Sequence, residues 1–217
     1  MRERAQILIL KTTPFGDSSL VLHCISDLWG RRSFMASRGS KSSPLLQSGN
    51  ILDCEVTTNP KSDLWRAGEF SLKYPLASIR NSIPKTAISL FMSEVLYRTV
   101  REGMAEQGEL FRWVEQSFLT LDVLGDDYAN FHIVFLLGLA SALGFRPTAE
   151  SMAPFAGDDY DLIEAFLGSA TSEAMMIQLN GHRRAGLCRT IVKYLEFHTE
   201  ASIELKSIDV LHELFDA

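Results

Sequence analysis

Cysteine is scarce in this chain of 217 residues. Cys24, Cys54 and Cys188 lie 30 and 134 positions apart, and no two form a CxxC pair. A scattered, odd-numbered set excludes a disulfide scaffold and the clustered thiols of a structural zinc site, and it fits reduced thiols in a cytoplasmic protein. Long apolar runs are lacking too. The longest, Phe131 to Phe145, spans about 15 residues and contains His132 and Ser141, against the roughly 20 that a membrane span needs. The N-terminal MRERAQILIL offers only four consecutive apolar residues after its charges, too few for the core of a signal peptide. A soluble, cytoplasmic protein with no membrane partner is expected.

Catalytic signatures are also missing. No GxxxxGK, GxGxxG, HExxH or GxSxG string occurs. Asp158, Asp159 and Asp161 lack the spacing of a calcium loop, and such Asp/Gly clusters mark solvated turns. The histidines at 23, 132, 182, 198 and 212 are scattered, and His132, on an otherwise apolar segment, reads as a core residue. Nothing in the sequence points to an enzyme, a cofactor or a metal.

What is present is an ordinary globular composition, 46% apolar and 22% charged. Charge is unevenly spread, however. Residues 1–78 hold 10 of the 21 basic and 7 of the 27 acidic side chains, a balance of +3; the remaining 11 and 20 give residues 79–217 a balance of −9. Such asymmetry signals two domains with unequal partners.

The first third reads as β. Runs at Ile7–Thr12, Ser19–Ser26, Arg32–Ala36, Asn50–Thr58 and Trp65–Tyr74 are separated by turn signals at Pro14–Asp17, Trp29-Gly30 and Asn59-Pro60. Five short antiparallel strands, with a longer connection at 37–49, suit a small closed barrel of the OB type. The period then changes. Ile88, Phe91, Met92, Val95 and Leu96 fall at helical spacing after Pro84. Further helices are expected at about Glu109–Leu124, Asn130–Leu143, Arg183–His198 and Ser207–Phe215, with the Asn130–Leu143 helix buried at the centre. Residues 148–170 read as acidic and irregular, with one helical turn at Leu162–Leu167. The fold class is α+β: an OB barrel, residues 1–78, followed by an α-helical domain, residues 79–217.

The segment from Leu28 to Ser42 carries Arg31, Arg32, Arg38 and Lys41, with no acid between Asp27 and Asp53, and holds Trp29 and Phe34 among them. Arginine makes planar, bidentate contacts to phosphate, and aromatic rings offer stacking faces to unpaired bases. The plainer reading of the same residues is a solvated strand and loop with both rings in the core.

Residues 7–42, with KTTPFGDSS at Lys11–Ser19 and the Trp29-Gly30-Arg31 segment, resemble the start of the RecO family of bacterial recombination mediators. Leu45-Leu46-Gln47 stands where that family has Leu-Gln-Pro, here with Ser48 for Pro. FMSEVL at Phe91–Leu96, Glu109-Leu110-Phe111 and Leu143-Gly144-Phe145 are similar to later family motifs in order and spacing. The resemblance implies an OB domain followed by a helical one, binding of single- and double-stranded DNA, and annealing of complementary strands. It also implies cooperation with RecR in loading RecA onto strands covered by single-stranded-DNA-binding protein (SSB). Arg31, Arg32, Arg38 and Lys41 match the DNA-contacting strand and loop.

Two departures stand out. Many members carry a four-cysteine zinc motif that this chain lacks, and some receive the SSB C-terminal tail on an arginine where this chain reads Ala129-Asn130-Phe131-His132. A tail contact would then fall to His182, Arg183, Arg184, Arg189 or Lys193. Nucleoid association follows from the same resemblance. The alternative is a protein-interaction adaptor of the recombination machinery whose barrel has little DNA binding of its own, which the overall acidity permits.

Overall fold

Ala5, Ile7 and Ile9 of the first strand point into the barrel core, and Leu8 and Leu10 beside them are buried as well, so the strand is covered on both faces over this stretch. The structure is a computed structural model and describes residues 1–39, 43–101 and 107–215. Its strands are β1 (Arg2–Phe15), β2 (Ser19–Ser26), β3 (Gly30–Ser37), β4 (Ile51–Thr57) and β5 (Trp65–Leu72). They close into a barrel in the order β1-β2-β3-β5-β4, the OB arrangement. β1 is much longer than its β-branched run suggests, because it serves two neighbours. Arg2–Leu8 pairs with β4 and Ile7–Phe15 with β2. A bulge at Leu10 bends the strand between the two. All pairings are antiparallel except β3 with β5, which is parallel and holds only Phe34↔Trp65 and Met35↔Arg66.

The barrel core contains Ile7, Ile9, Leu22, Cys24, Phe34, Leu52, Cys54 and Val56, together with Leu46 from the long connection. Helix α3 (Gln107–Val123) supplies a further piece of this unit. Residues 100–119 cluster with residues 1–77, whereas 78–99 and 120–217 form the second unit. The charge and periodicity of the sequence had set all residues after 78 apart from the barrel. Lys73 at the end of β5 reaches both the Glu115 carboxylate, at 2.6 Å, and the Gln6 side chain, at 2.8 Å. This bridge ties α3 to the strands, a contact that periodicity cannot reveal.

The second unit is helical: α1 (Ala77–Asn81), α2 (Ile83–Thr99), α4 (Phe131–Ala142), α5 (Ala149–Ala156), α6 (Tyr160–Gly168), α7 (Thr171–Met176), α8 (Gly181–Thr199) and α9 (Ser207–Phe215). α4 packs against α2 and α8 and buries residues all round its surface, as an apolar helix should. Its first turn is anchored by buried Asn130, whose amide donates to the Ile177 carbonyl at 2.7 Å and whose oxygen accepts from Arg184 Nε at 2.9 Å. Buried Lys85 donates to Ser78 Oγ at 2.7 Å and to the carbonyls of Asp122 and Leu124. It thus places a cation on the unpaired carbonyls that end α3.

Residues 148–170 are not irregular. α5, a 3-10 turn at Gly157–Asp159 and α6 occupy them. The start of α5 is a capping box made by Thr148 and Ser151, without the usual Glu, and Pro154 lies inside the helix. Both features hide the helix from pattern reading. Among the described residues no helix is long and apolar enough to cross a membrane.

His132 is 2% exposed, lies edge-on to Phe91, stacks on Phe215, and has no hydrogen-bond partner at Nδ1 among the described residues. Burial, with the Arg184 charge second, lowers its pKa from 6.5 to about 3. The folded protein therefore keeps the ring neutral while the unfolded chain protonates it below about pH 6.5. This contribution to stability is fully present above pH 6.5. It falls by up to about 1.4 kcal/mol per pH unit as the pH drops from there towards 3. Thermal melts between pH 7.5 and 5 should show a shallower pH dependence for His132→Phe, which keeps an aromatic ring, than for the native chain. Equal slopes would contradict the assignment.

Candidate nucleic-acid interface

Consecutive residues of a strand point to opposite faces, so the basic run on β3 is divided by the fold. Arg32 pairs across from Cys24 on the inner row, and Arg31 from Ile25 on the outer row. The inner row opens at the barrel mouth. There the Arg32 guanidinium lies 3.6 Å above the Trp65 ring, and Nη2 donates to the Asp63 carbonyl at 3.3 Å. Trp65 is fixed in turn: its Nε1 donates to the Asn59 carbonyl at 3.0 Å, and Trp29 meets it edge-on at 5.4 Å. The Asn59 side chain accepts from the Lys61 N–H and so shapes the β4–β5 turn that carries both. An arginine stacked on a partly exposed tryptophan gains about 0.5–2 kcal/mol from the ring quadrupole. The Arg32 Nε is buried and has no hydrogen-bond partner among the described residues. Arg32 takes part in no ion pair to a carboxylate among the described residues.

Not all of the expected surface is surface. Phe34 is wholly buried in the barrel core, so it cannot stack on a base. Arg31 is buried as well, and its Nη1 donates to the Cys24 carbonyl at 3.4 Å. Contiguity in sequence brought these residues into one candidate group; Arg31 lies on the opposite face of β3 from Arg32, and Phe34, on the same face as Arg32, lies deeper in the core. Trp29 is half-buried and meets Trp65 and Phe34 edge-on. Arg38 is exposed, with its backbone N–H held by the Ser18 carbonyl at 2.8 Å. It lies six residues beyond Arg32, about 20 Å along an extended chain. Lys41 lies outside the described residues.

Sequence reasoning missed Trp65, Lys61 and Arg66. The readable signal was the Trp65-Arg66 pair at the start of the last strand, beside the loop that follows β4. On the outer wall of β1, β2 and β3, Thr13 Oγ1, His23 and Ser33 Oγ form a hydrogen-bonded row, with His23 Nε2 at 3.3 Å and Nδ1 at 3.0 Å.

In the helical unit the cations of α8 divide in the same way. Arg184 is turned inward, holding Asn130 and the Phe215 carbonyl. Arg183 lies 3.6 Å from Asp159, and Arg189 lies 2.9 Å from Asp209. His182 and Lys193 are exposed, and strongly exposed Phe197 follows Lys193 one turn later on the same stripe.

The cysteines are buried. Burial, and then the Asp27 and Asp53 carboxylates, push the Cys54 thiol up to about 12, and burial raises Cys24 and Cys188 further. Such thiols neither attack nor ligate at neutral pH. Among the described residues no three His, Cys, Asp or Glu side chains are grouped to hold a metal ion.

A model of the recombination protein O C-terminal region matches residues 80–154. The whole chain is 30% identical to the DNA repair protein RecO of Bacteroides fragilis, with 100% of both chains covered. It is 30% identical to that of Phocaeicola vulgatus over 99% of this chain and all of the relative. The chain belongs to the RecO family. The family's four-cysteine zinc motif has no counterpart here, since the three thiols are separate and buried and do not fit a zinc ion. Metal-independent folding is the expected outcome: protein purified without added metal should melt at the same temperature with and without a strong chelator. Stoichiometric zinc together with a chelator-lowered melting temperature would contradict it.

Proposed function

We propose that this protein is a DNA-binding recombination mediator that holds and anneals single strands on its barrel and, with RecR, helps load RecA onto SSB-coated DNA. The observation that carries the reading is the Arg32–Trp65 stack at the barrel mouth. OB barrels bind oligonucleotides on the face of strands 2 and 3 and on the loops between strands 1–2 and 4–5. Arg32 lies on strand 3, Trp65 follows the 4–5 loop, and Arg38 is tied to the 1–2 loop through Ser18. In this reading Arg32 and Arg38 bind phosphates, and a base stacks against the partly exposed Trp29–Trp65 pair. Names shared with full-length relatives support the repair and recombination role. For the acidic SSB tail, Lys193 with Phe197 beside it is the site we favour on α8, because Arg184 is already committed inside the unit and Arg183 and Arg189 face carboxylates.

A second reading, an adaptor with little DNA affinity, draws on the burial of Arg31 and Phe34 and on the net charge of −6. Single-strand affinity measured at several salt concentrations separates the two. Arg32→Ala with Arg38→Ala should weaken binding to every sequence about equally and flatten the slope of log K against log salt by about 1.4, for two phosphates. Trp65→Ala should lose about 1–3 kcal/mol, the worth of one stacked base. No saturable binding by the native chain at low salt would favour the adaptor, and unchanged variants would move the site elsewhere.

A further inference from the structure

The other wall of the barrel, formed by β1, β4 and β5, carries a groove of about 1000 Å³. Its floor follows from register. Arg2, Thr57 and Arg66 form one outward rung, Arg4, Glu55 and Gly68 the next, and Gln6, Asp53 and Ser71 the third. Gly68 leaves a hollow in the middle rung, since a Cβ there would meet nothing within 4 Å.

Charge is sorted along this groove. Towards one end lie Arg2, Arg4 and Arg66, with the N-terminal ammonium donating to the Thr58 carbonyl at 3.4 Å and exposed Lys61 in the adjoining turn. At the other end the carboxylates are engaged. Asp27 accepts from the Gln6 N–H at 2.9 Å, and Asp53 accepts from the Gln6 amide at 3.4 Å. Glu55 is paired to Arg2 at 3.1 Å, which leaves exposed Glu69 as the remaining acid of the lining. Arg4 and Arg66 are exposed and make no ion pair among the described residues. They stand on strands two places apart, roughly 10 Å.

Trp65 and Arg66 are neighbours in sequence on opposite faces of β5. The ring packs towards the core beside Arg32, and the guanidinium lines the groove. The groove therefore begins where the stacking site ends.

We infer that the groove is a second nucleic-acid site, in which Arg4 and Arg66 hold two phosphates of a second single strand while the Arg32–Trp65 side holds the first. The inference rests on the DNA-binding reading above. Two unpaired cations suit a short stretch of one flexible backbone, while the carboxylates of the lining disfavour the denser double row of phosphates on a duplex. Two strands meeting at the start of β5 are placed side by side, as annealing requires.

The test uses the full chain and two oligothymidylates, which cannot pair with each other, one carrying a donor dye and one an acceptor. Energy transfer reports both strands on one protein, and anisotropy of the donor strand alone reports the first site. The native chain should show transfer. Second-strand binding by the native chain should weaken with salt with a slope of about 1.4 from these two phosphates, and Arg4→Ala with Arg66→Ala should keep first-strand affinity within about twofold and abolish transfer. Arg4→Lys with Arg66→Lys, which keeps both charges, should restore transfer. Transfer undiminished in the alanine variant, with the first strand bound, would overturn this inference and leave the functional reading intact. A native chain that binds neither strand would overturn that reading, and this one with it.

Discussion

The barrel is closed by two residue pairs. β3 and β5 meet only at Phe34↔Trp65 and Met35↔Arg66, and a parallel contact so short has little backbone hydrogen bonding to hold it. Side chains make up the difference. Phe34 is sunk in the core, Trp29 touches both Phe34 and Trp65 edge-on, and Arg32 covers the outer face of Trp65 while gripping the turn at Asp63. The same rings that seal the seam bring an arginine and an aromatic surface to the barrel mouth. Closure and the candidate site are one arrangement, so changes to Trp65 bear on both stability and binding.

Electrostatics gives the arrangement a direction. The acid-rich second half disfavours phosphates over its surface, and the basic side chains of the first 78 residues are gathered on the barrel. Within each half the fold then decides which cations are available. Arg31 and Arg184 are spent on internal carbonyls and an amide, and Arg183 and Arg189 face carboxylates. Arg4, Arg38, Arg66 and Lys193 remain exposed. Counting charges along the chain therefore overstates the size of any one site.

Strand and helix positions were legible where a single face is buried, as in β4 and α8, and where burial is complete, as in α4. Less legible was anything set by a partner distant in sequence. β1 gains its length from pairing with both β2 and β4, α3 joins the barrel unit in part through Lys73 and Glu115, and α5 begins at a Thr–Ser box that lacks its usual acid. The site was half legible. Arg32 and Trp29 both meet Trp65 and Arg38 is exposed, whereas Arg31 is buried on the other face of β3 and Phe34, on the face of Arg32, is buried in the core. Trp65 arrives from a strand more than thirty residues away in sequence. Only the closing of the barrel brings it there.

The most direct measurement of the central claim, that the Arg32–Trp65 stack is where nucleic acid lands, is the emission of Trp65 itself. Of the three tryptophans, Trp29 and Trp113 can be replaced by phenylalanine to leave Trp65 alone. Titration with an oligothymidylate should quench this emission saturably, with the midpoint moving to higher oligonucleotide concentration as salt is raised. Binding detected by anisotropy while the Trp65 emission stays constant would contradict the account.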